Sequence, residues 1–284
     1  MRAYLAVLAL ALAACAPLKT QKTTEAPFLP SIVNLREATK AVYAAPKPAL
    51  VVLDIDDTLL STTKLGSEHA FYGSDRWYRW QDAQGEDGPH RVPCLLDVLY
   101  WNSEVVPLEA VQPDAPEVIN ALSEDRLILT SRGGNQRLGT QRALAAAGYS
   151  HGKALPGLEA ITTLPGTYSP MTYSDGILMT GGTKKGPALT ALLANAATRY
   201  RSVVMVDDDS KNLRSVASSL AQQPESNRME FVGLRYIGIK DEPVPPPTTA
   251  AERVADESWI AWKGWFLKYE PEPAARLMAK RCSY

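Results

Sequence analysis

The apolar residues of this chain fall into short continuous runs separated by polar turns and longer stretches of helical period. Residues 49–53, 127–129, 203–206 and 231–234 are such runs, and most are rich in β-branched side chains. A strand whose apolar residues are continuous rather than alternating is covered on both faces. Helical stretches lie between these runs. Residues 136–147 are rich in Ala, Leu and Arg and stop at Gly148, a residue suited to ending a helix. Residues 187–200 carry Leu189, Leu192 and Leu193 on one stripe, and 213–223 form another helical stretch. Strands alternating with helices predict an α/β fold, a parallel sheet of Rossmann type with helices on both faces. No internal repeat is visible.

Two stretches break the rhythm. Residues 61–112 are dense in aromatics (Tyr72, Trp77, Tyr78, Trp80, Tyr100, Trp101) and in Gly85, Gly88, Pro89 and Pro93. They read as a cap inserted after the first strand, with Trp77 and Trp80 packing it. Residues 250–284 read as a C-terminal helical extension in which Trp259, Trp262 and Trp265, three apart, form a packing stripe. The globular unit spans 29–284.

Composition narrows the partners. The 284 residues carry 30 Lys+Arg against 31 Asp+Glu, and 45% are hydrophobic. Near-balanced charge argues against nucleic acid as a partner, and the apolar content supports a folded core. The start has a different character. Met1-Arg2, an apolar stretch over 4–12 and Ala13-Ala14-Cys15 describe a secretory signal, too short to span a bilayer. Leu12-Ala13-Ala14-Cys15 resembles the bacterial lipobox, which predicts lipidation of Cys15 and a membrane anchor. An ordinary signal cleaved near Ala14 is the alternative. Residues 16–28 (APLKTQKTTEAPF) read as a flexible tether. The protein is then expected on the periplasmic face of a bacterial envelope, at the outer rather than the inner membrane. Cys94 and Cys282 either pair in that oxidising compartment or stay as two thiols.

The chemistry-bearing residues follow the strands. The first strand runs into Asp54, Asp56 and Asp57, three carboxylates within four residues, which repel one another without a cation between them. Asp54 and Asp56, two apart, project to the same side at a strand end. Asp207, Asp208 and Asp209 end the 203–206 strand, with Asn212 shortly after. Thr130, Ser131 and Arg132 end a third strand, and Lys184-Lys185-Gly186 opens a helix. Ligands of open α/β sheets bind at the carboxyl ends of the strands. Hard oxygen ligands favour Mg2+ over zinc. His69, His90 and His151 read as surface residues, and Asp209 as a turn or helix cap.

Asp54-x-Asp56-x-Thr58, Thr130, Lys185 and Asp207-Asp208-x-x-x-Asn212 resemble, in order and rough spacing, the four motifs of the haloacid dehalogenase (HAD) superfamily. Residues 73–81 (GSDRWYRWQ), 129–133 (LTSRG) and 206–212 (VDDDSKN) further resemble a bacterial HAD-like branch known as domain of unknown function 2608, over roughly 30–240. Lipoprotein acid phosphatases of class C are similar in the leader and first motif, but carry Glu at the place of Asp57 and Gly-Asp-Asn at that of Asp207-Asp208-Asp209. The resemblance implies a Mg2+-dependent phosphomonoester hydrolase. Asp54 would attack phosphorus and Asp56 would serve as acid and then base. Mg2+ would sit on the Asp54 carboxylate, the Asp56 carbonyl and Asp208, with Asp207 the alternative ligand or a helper. Thr130 and Lys185 would hold phosphoryl oxygens. Ser131 and Arg132 stand between substrate contact and turn structure, and Lys184 is read as a solvated neighbour of Lys185. The substrate would be a small phosphorylated molecule. A phosphotransferase, or a non-catalytic envelope protein that binds a ligand at the same residues, are the alternatives.

Overall fold

The computed structural model describes residues 30–62, 75–150, 154–158, 162–239 and 249–283. The signal segment with Cys15, the tether, His69, Tyr72 and His151 lie outside the described residues, as does the 63–74 part of the insertion.

The chain enters through β1 (Ser31–Ile32) and α1 (Leu35–Ala44). The latter opens with a capping box: the Asn34 side chain accepts from the Arg36 amide and Glu37 accepts from the Asn34 amide. The sequence reading assigned no helix there. Next come β2 (Ala49–Leu53) and β3 (Leu60–Ser61), then the insertion helices α2 (Asp75–Ala83) and α3 (Leu95–Val105), then β4 (Glu109–Ala110). The β3–β4 pairing, Leu60 opposite Ala110, brings the two ends of the insertion together. The fold continues with α4 (Ala115–Asn120), β5 (Asp125–Thr130), α5 (Arg137–Ala146), β6 (Thr162–Leu164), β7 (Met171–Ser174) and β8 (Ile177–Met179). It closes with α6 (Lys185–Leu193), β9 (Ser202–Asp207), α7 (Ser210–Ala221), β10 (Glu230–Tyr236), α8 (Thr249–Tyr269) and α9 (Pro271–Met278).

Eight strands form one sheet in the order β1-β10-β9-β2-β5-β8-β7-β6. Its first five pairings are parallel; β7 and β6 add antiparallel at one edge. This is the mostly parallel, Rossmann-like sheet that the continuous apolar runs predict. The reason shows in β2, where Val51 and Leu53 pack into one core and Leu50 and Val52 into the other. Every residue of the strand is buried, with alternate side chains entering opposite layers. Among the described residues no helix is long and apolar enough to cross a membrane.

Three details depart from the expected pattern. The helix expected over 187–200 starts at Lys185 and stops at Leu193. Beyond it the chain is drawn into tertiary bonds, from the Ala197 amide to the Pro156 carbonyl and from the Tyr200 hydroxyl to Asp125. The β7–β8 edge hairpin was not expected; it turns at Asp175 and Gly176, both with positive φ (50° and 73°), the geometry that two-residue hairpins favour. The tryptophan stripe of α8 is not uniform. Trp262 is buried and stacks on Trp259 at 5.1 Å, but Trp265 is exposed and lies against Tyr269. Spacing of three turns each successive residue about 60° around a helix, so the third Trp has rotated about 120° from the first.

The C-terminal helices and the insertion share one core, built from Trp77, Leu95, Val98, Trp262, Phe266 and Leu277. A disulfide from Cys94 to Cys282 fastens the end of the chain to the start of α3, and the Ser283 amide bonds Asp97. Of the two readings the sequence left open, the thiols are paired. Alkylation of the unfolded, unreduced protein should therefore leave both cysteines unlabelled. Cys282→Ser should destabilise the fold by about 2–4 kcal/mol, since it frees a closure that spans most of the chain.

Candidate active site

Four neighbouring strands, β9, β2, β5 and β8, deliver polar residues to one edge of the sheet. Asp54 directly follows β2, and its amide still bonds the Val206 carbonyl. The chain then folds back sharply: the Leu59 and Leu60 amides both bond the Ile55 carbonyl, and Asp57 takes a left-handed φ of 54°. This hook turns the buried Thr58 toward β9, where its hydroxyl accepts from the Asp208 amide at 3.0 Å. Lys185 opens α6. Gly186 lets that helix lie close on α7, because a Cβ there would stand 2.2 Å from the Ser215 carbonyl oxygen.

The centre is an ammonium between carboxylates. Lys185 Nζ lies 2.6 Å from Asp54 Oδ1 and 2.7 Å from Asp207 Oδ2, with all three side chains buried. The second oxygen of Asp207 accepts from the Asp209 amide at 2.9 Å and from Asn212 Nδ2 at 3.0 Å. Asp207 is therefore fully engaged by protein donors. Asp208 is not: among the described residues no side chain or amide bonds its carboxylate. Carboxylate oxygens of Asp54, Asp207 and Asp208 lie within 4.8 Å of one another, close enough to share one cation. Burial pushes Asp54 up to about 8; Lys185 offsets part of this, while Asp207 and Asp56 add to it. Burial, then Asp54 and Asp207, push Asp208 up to about 9. Burial alone would lower the Lys185 ammonium, but the two carboxylates outweigh it and raise it. Among the described residues, two of the three clustered carboxylates thus share one ammonium and the third has none, and hard oxygen donors in that state suit a small divalent cation.

The family model described as Protein of unknown function (DUF2608) matches residues 31–264. The chain belongs to the DUF2608 family. No curated protein and no solved structure matches it.

The DUF2608 match runs from β1 into α8, so it takes in the whole acidic edge and the insertion. The remaining residues singled out from the sequence divide. Thr130 is wholly buried at the end of β5, and its hydroxyl accepts from the Arg132 amide. Ser131 is exposed and contributes through its backbone, its carbonyl accepting from the Gly182 amide. Arg132 forms a two-pronged ion pair with Asp56, Nη2 to Oδ1 at 2.6 Å and Nε to Oδ2 at 3.1 Å. Burial works to raise Asp56, but the guanidinium overcomes it and holds the carboxyl below its usual range. Nearly half of the Asp56 side chain remains open to solvent, which weakens that hold. Lys184 is exposed at the N-cap of α6, and Asp209 caps α7 through the Lys211 amide.

Some residues here had no assigned part. Thr140 on α5 is buried and accepts the third prong of Arg132 at 2.9 Å. Arg235 on β10 donates to the Asp208 carbonyl at 3.0 Å. Neither lies in a motif, and no local pattern announces them. Thr58 sat within the quoted first motif and could have been read as its internal brace.

Proposed function

We propose that this chain is a Mg2+-dependent phosphomonoester hydrolase of HAD type that works through an aspartyl-phosphate on Asp54. The observation that carries the reading is the meeting of Asp54, Lys185 and Asp208 at the carboxyl edge of the central strands. A nucleophilic carboxylate, a buried ammonium and an unengaged acidic ligand address one point. Asp54 and Asp208, with the Asp56 backbone carbonyl, would hold the Mg2+. When bound it would neutralise negative charge on the cluster and on the phosphoryl oxygens. Asp207 is the helper rather than the ligand, since its oxygens already hold Lys185, Asn212 and the Asp209 amide.

A carboxylate oxygen of Asp54 attacks phosphorus and the ester oxygen departs with a proton from Asp56. Water then attacks the phosphoaspartate, gives its proton to Asp56 and releases phosphate. Arg132 holds Asp56 ionised in the resting site, so the first step needs Arg132 to turn toward the incoming phosphoryl group. That exchange lets Asp56, still open to solvent, take up from water the proton it then gives to the ester oxygen. Lys185 and Thr130 offset charge on the transferring group. A cap formed by the insertion would restrict the site to small substrates. Lipidation at Cys15 would place this activity at the periplasmic face of a bacterial envelope.

The test is phosphate release by the purified protein on a panel of phosphomonoesters, with Mg2+ and with EDTA. Turnover that needs Mg2+ is the expected result. Adding an alcohol and analysing products separates hydrolysis from phosphotransfer. A folded, Mg2+-binding protein that releases phosphate from no ester would overturn the reading and favour a ligand-binding role.

A further inference from the structure

The β6–β7 turn returns to the same sheet edge as the acidic cluster. β8 runs parallel to β5 and β7 runs back against β8, so residues 165–170 stand beside the loops that leave β5 and β8. Those two loops are zipped together. The Thr180, Gly181 and Gly182 amides bond the carbonyls of Thr130, Arg132 and Ser131 at 2.9–3.0 Å. The turn is pinned on top of them, with the Thr167 amide bonding Thr183 Oγ1 at 2.7 Å. Glycines allow the close fit: a Cβ on Gly181 would stand 2.0 Å from Ser169 Oγ, and one on Gly182 3.1 Å from the Tyr168 ring.

The outcome is an aromatic ring on a fixed backbone at the rim of the site. Tyr168 lies against Gly182, three residues before Lys185, and is still 83% exposed. It fills no core. The β8 loop stands two strands from β2, about 10 Å across the sheet. A tyrosine ring reaching inward and a leaving group bound to the phosphoryl would together span that gap. An exposed, pre-positioned ring adds affinity for flat groups at little ordering cost.

We infer that Tyr168 is a specificity residue that stacks on the leaving group, and that the preferred substrates are phosphomonoesters whose leaving group carries a flat aromatic ring. The inference rests on the reading of the acidic edge as a phosphoryl site. It separates aryl and heteroaryl monophosphates from alkyl ones such as phosphorylated polyols.

Binding of phenylphosphonate and of methylphosphonate, measured by calorimetry with Mg2+ present, tests it on wild type, Tyr168→Phe and Tyr168→Ala. Neither probe needs turnover. Tyr168→Ala should weaken phenylphosphonate about tenfold, as loss of one stacking ring typically does, and leave methylphosphonate within about twofold. Tyr168→Phe should retain wild-type preference. The same pattern in kcat/KM for phenyl phosphate against glycerol phosphate would extend it to catalysis. A wild type that does not prefer the phenyl probe overturns the inference, and so does an alanine variant that weakens both probes equally or neither. If the phenyl preference depends on Tyr168 but no ester is turned over, the hydrolase reading fails and the ring's role stands. The variant should fold, because the side chain it removes is exposed.

Discussion

Asp54→Asn is expected to abolish turnover and, in the absence of metal, to make the fold more stable. Asparagine keeps the size of the side chain and an oxygen for Lys185, but it cannot form the proposed phosphoaspartate. Phosphate release should fall about four orders of magnitude or more, as for other lost nucleophiles. The stability change has the opposite sign because Asp54 sits buried among like charges. Its carboxyl is pushed from an ordinary 3.8 up to about 8. Between those values the folded protein holds a proton that the unfolded chain has released, so wild type loses stability as pH rises across that window. The amide does not titrate. In EDTA the melting temperature of the variant should exceed that of wild type, by about 4 °C near pH 8 and by less near pH 5. Above about pH 8 the gap should level off. Added Mg2+ should stabilise wild type more than the variant, which has lost a proposed ligand. Thermal melts from about pH 5 to about pH 9, with EDTA and with Mg2+, give all four comparisons. A variant less stable than wild type in EDTA at every pH would mean that the Asp54–Lys185 attraction outweighs the crowding.

That trade between activity and stability is partly readable in the sequence. A strand of five buried apolar residues that ends in Asp-x-Asp announces charge at the end of a buried element. Asp207 at the end of β9 announces charge in the same way, and Thr130 at the end of β5 a buried polar group. The parallel sheet, its central strands and the edge where those residues meet follow from the apolar runs. The division of labour within the cluster does not. Asp207 and Asp208 are neighbours in sequence. Asp207 closes β9 and aims into the protein, where it holds Lys185; Asp208 is one step further on and half-buried.

The Arg132–Asp56 pair joins residues 76 apart, and the Cys94–Cys282 bond residues 188 apart; neither leaves a local trace. The β6–β8 edge escaped for another reason. Its strands mix Thr, Tyr and Ser with Met and Leu, and only the Asp175-Gly176 turn marks a hairpin. By contrast α1 carried a readable signal. Asn34 followed by Glu37, with buried Leu35, Ala38 and Val42 on one face, is a capping box ahead of an amphipathic stretch.

Lys185→Met should be the most damaging single substitution in the site. Lys185 is 1% exposed, and its ammonium is the shared partner of Asp54 and Asp207. Methionine matches its length and apolar stem, so little packing is lost. The two carboxylates are left facing each other without the ammonium between them. Breaking a buried pair in this way costs about 3–5 kcal/mol, on the order of 10 °C in melting temperature for a chain of this size. Phosphate release should drop at least about a thousandfold, since the charge proposed to offset the transferring phosphoryl group is gone. Two further variants separate these effects. Asp207→Asn in the Lys185→Met background removes one stranded charge while keeping an acceptor for Asn212 and the Asp209 amide. It should recover a large part of the lost stability and none of the activity. Mg2+ should likewise raise the melting temperature of Lys185→Met through Asp54 and Asp208 without restoring turnover. If the double variant is as unstable as the single one, the loss lies in packing around the methionine. The ammonium would then be a catalytic group that the fold can spare.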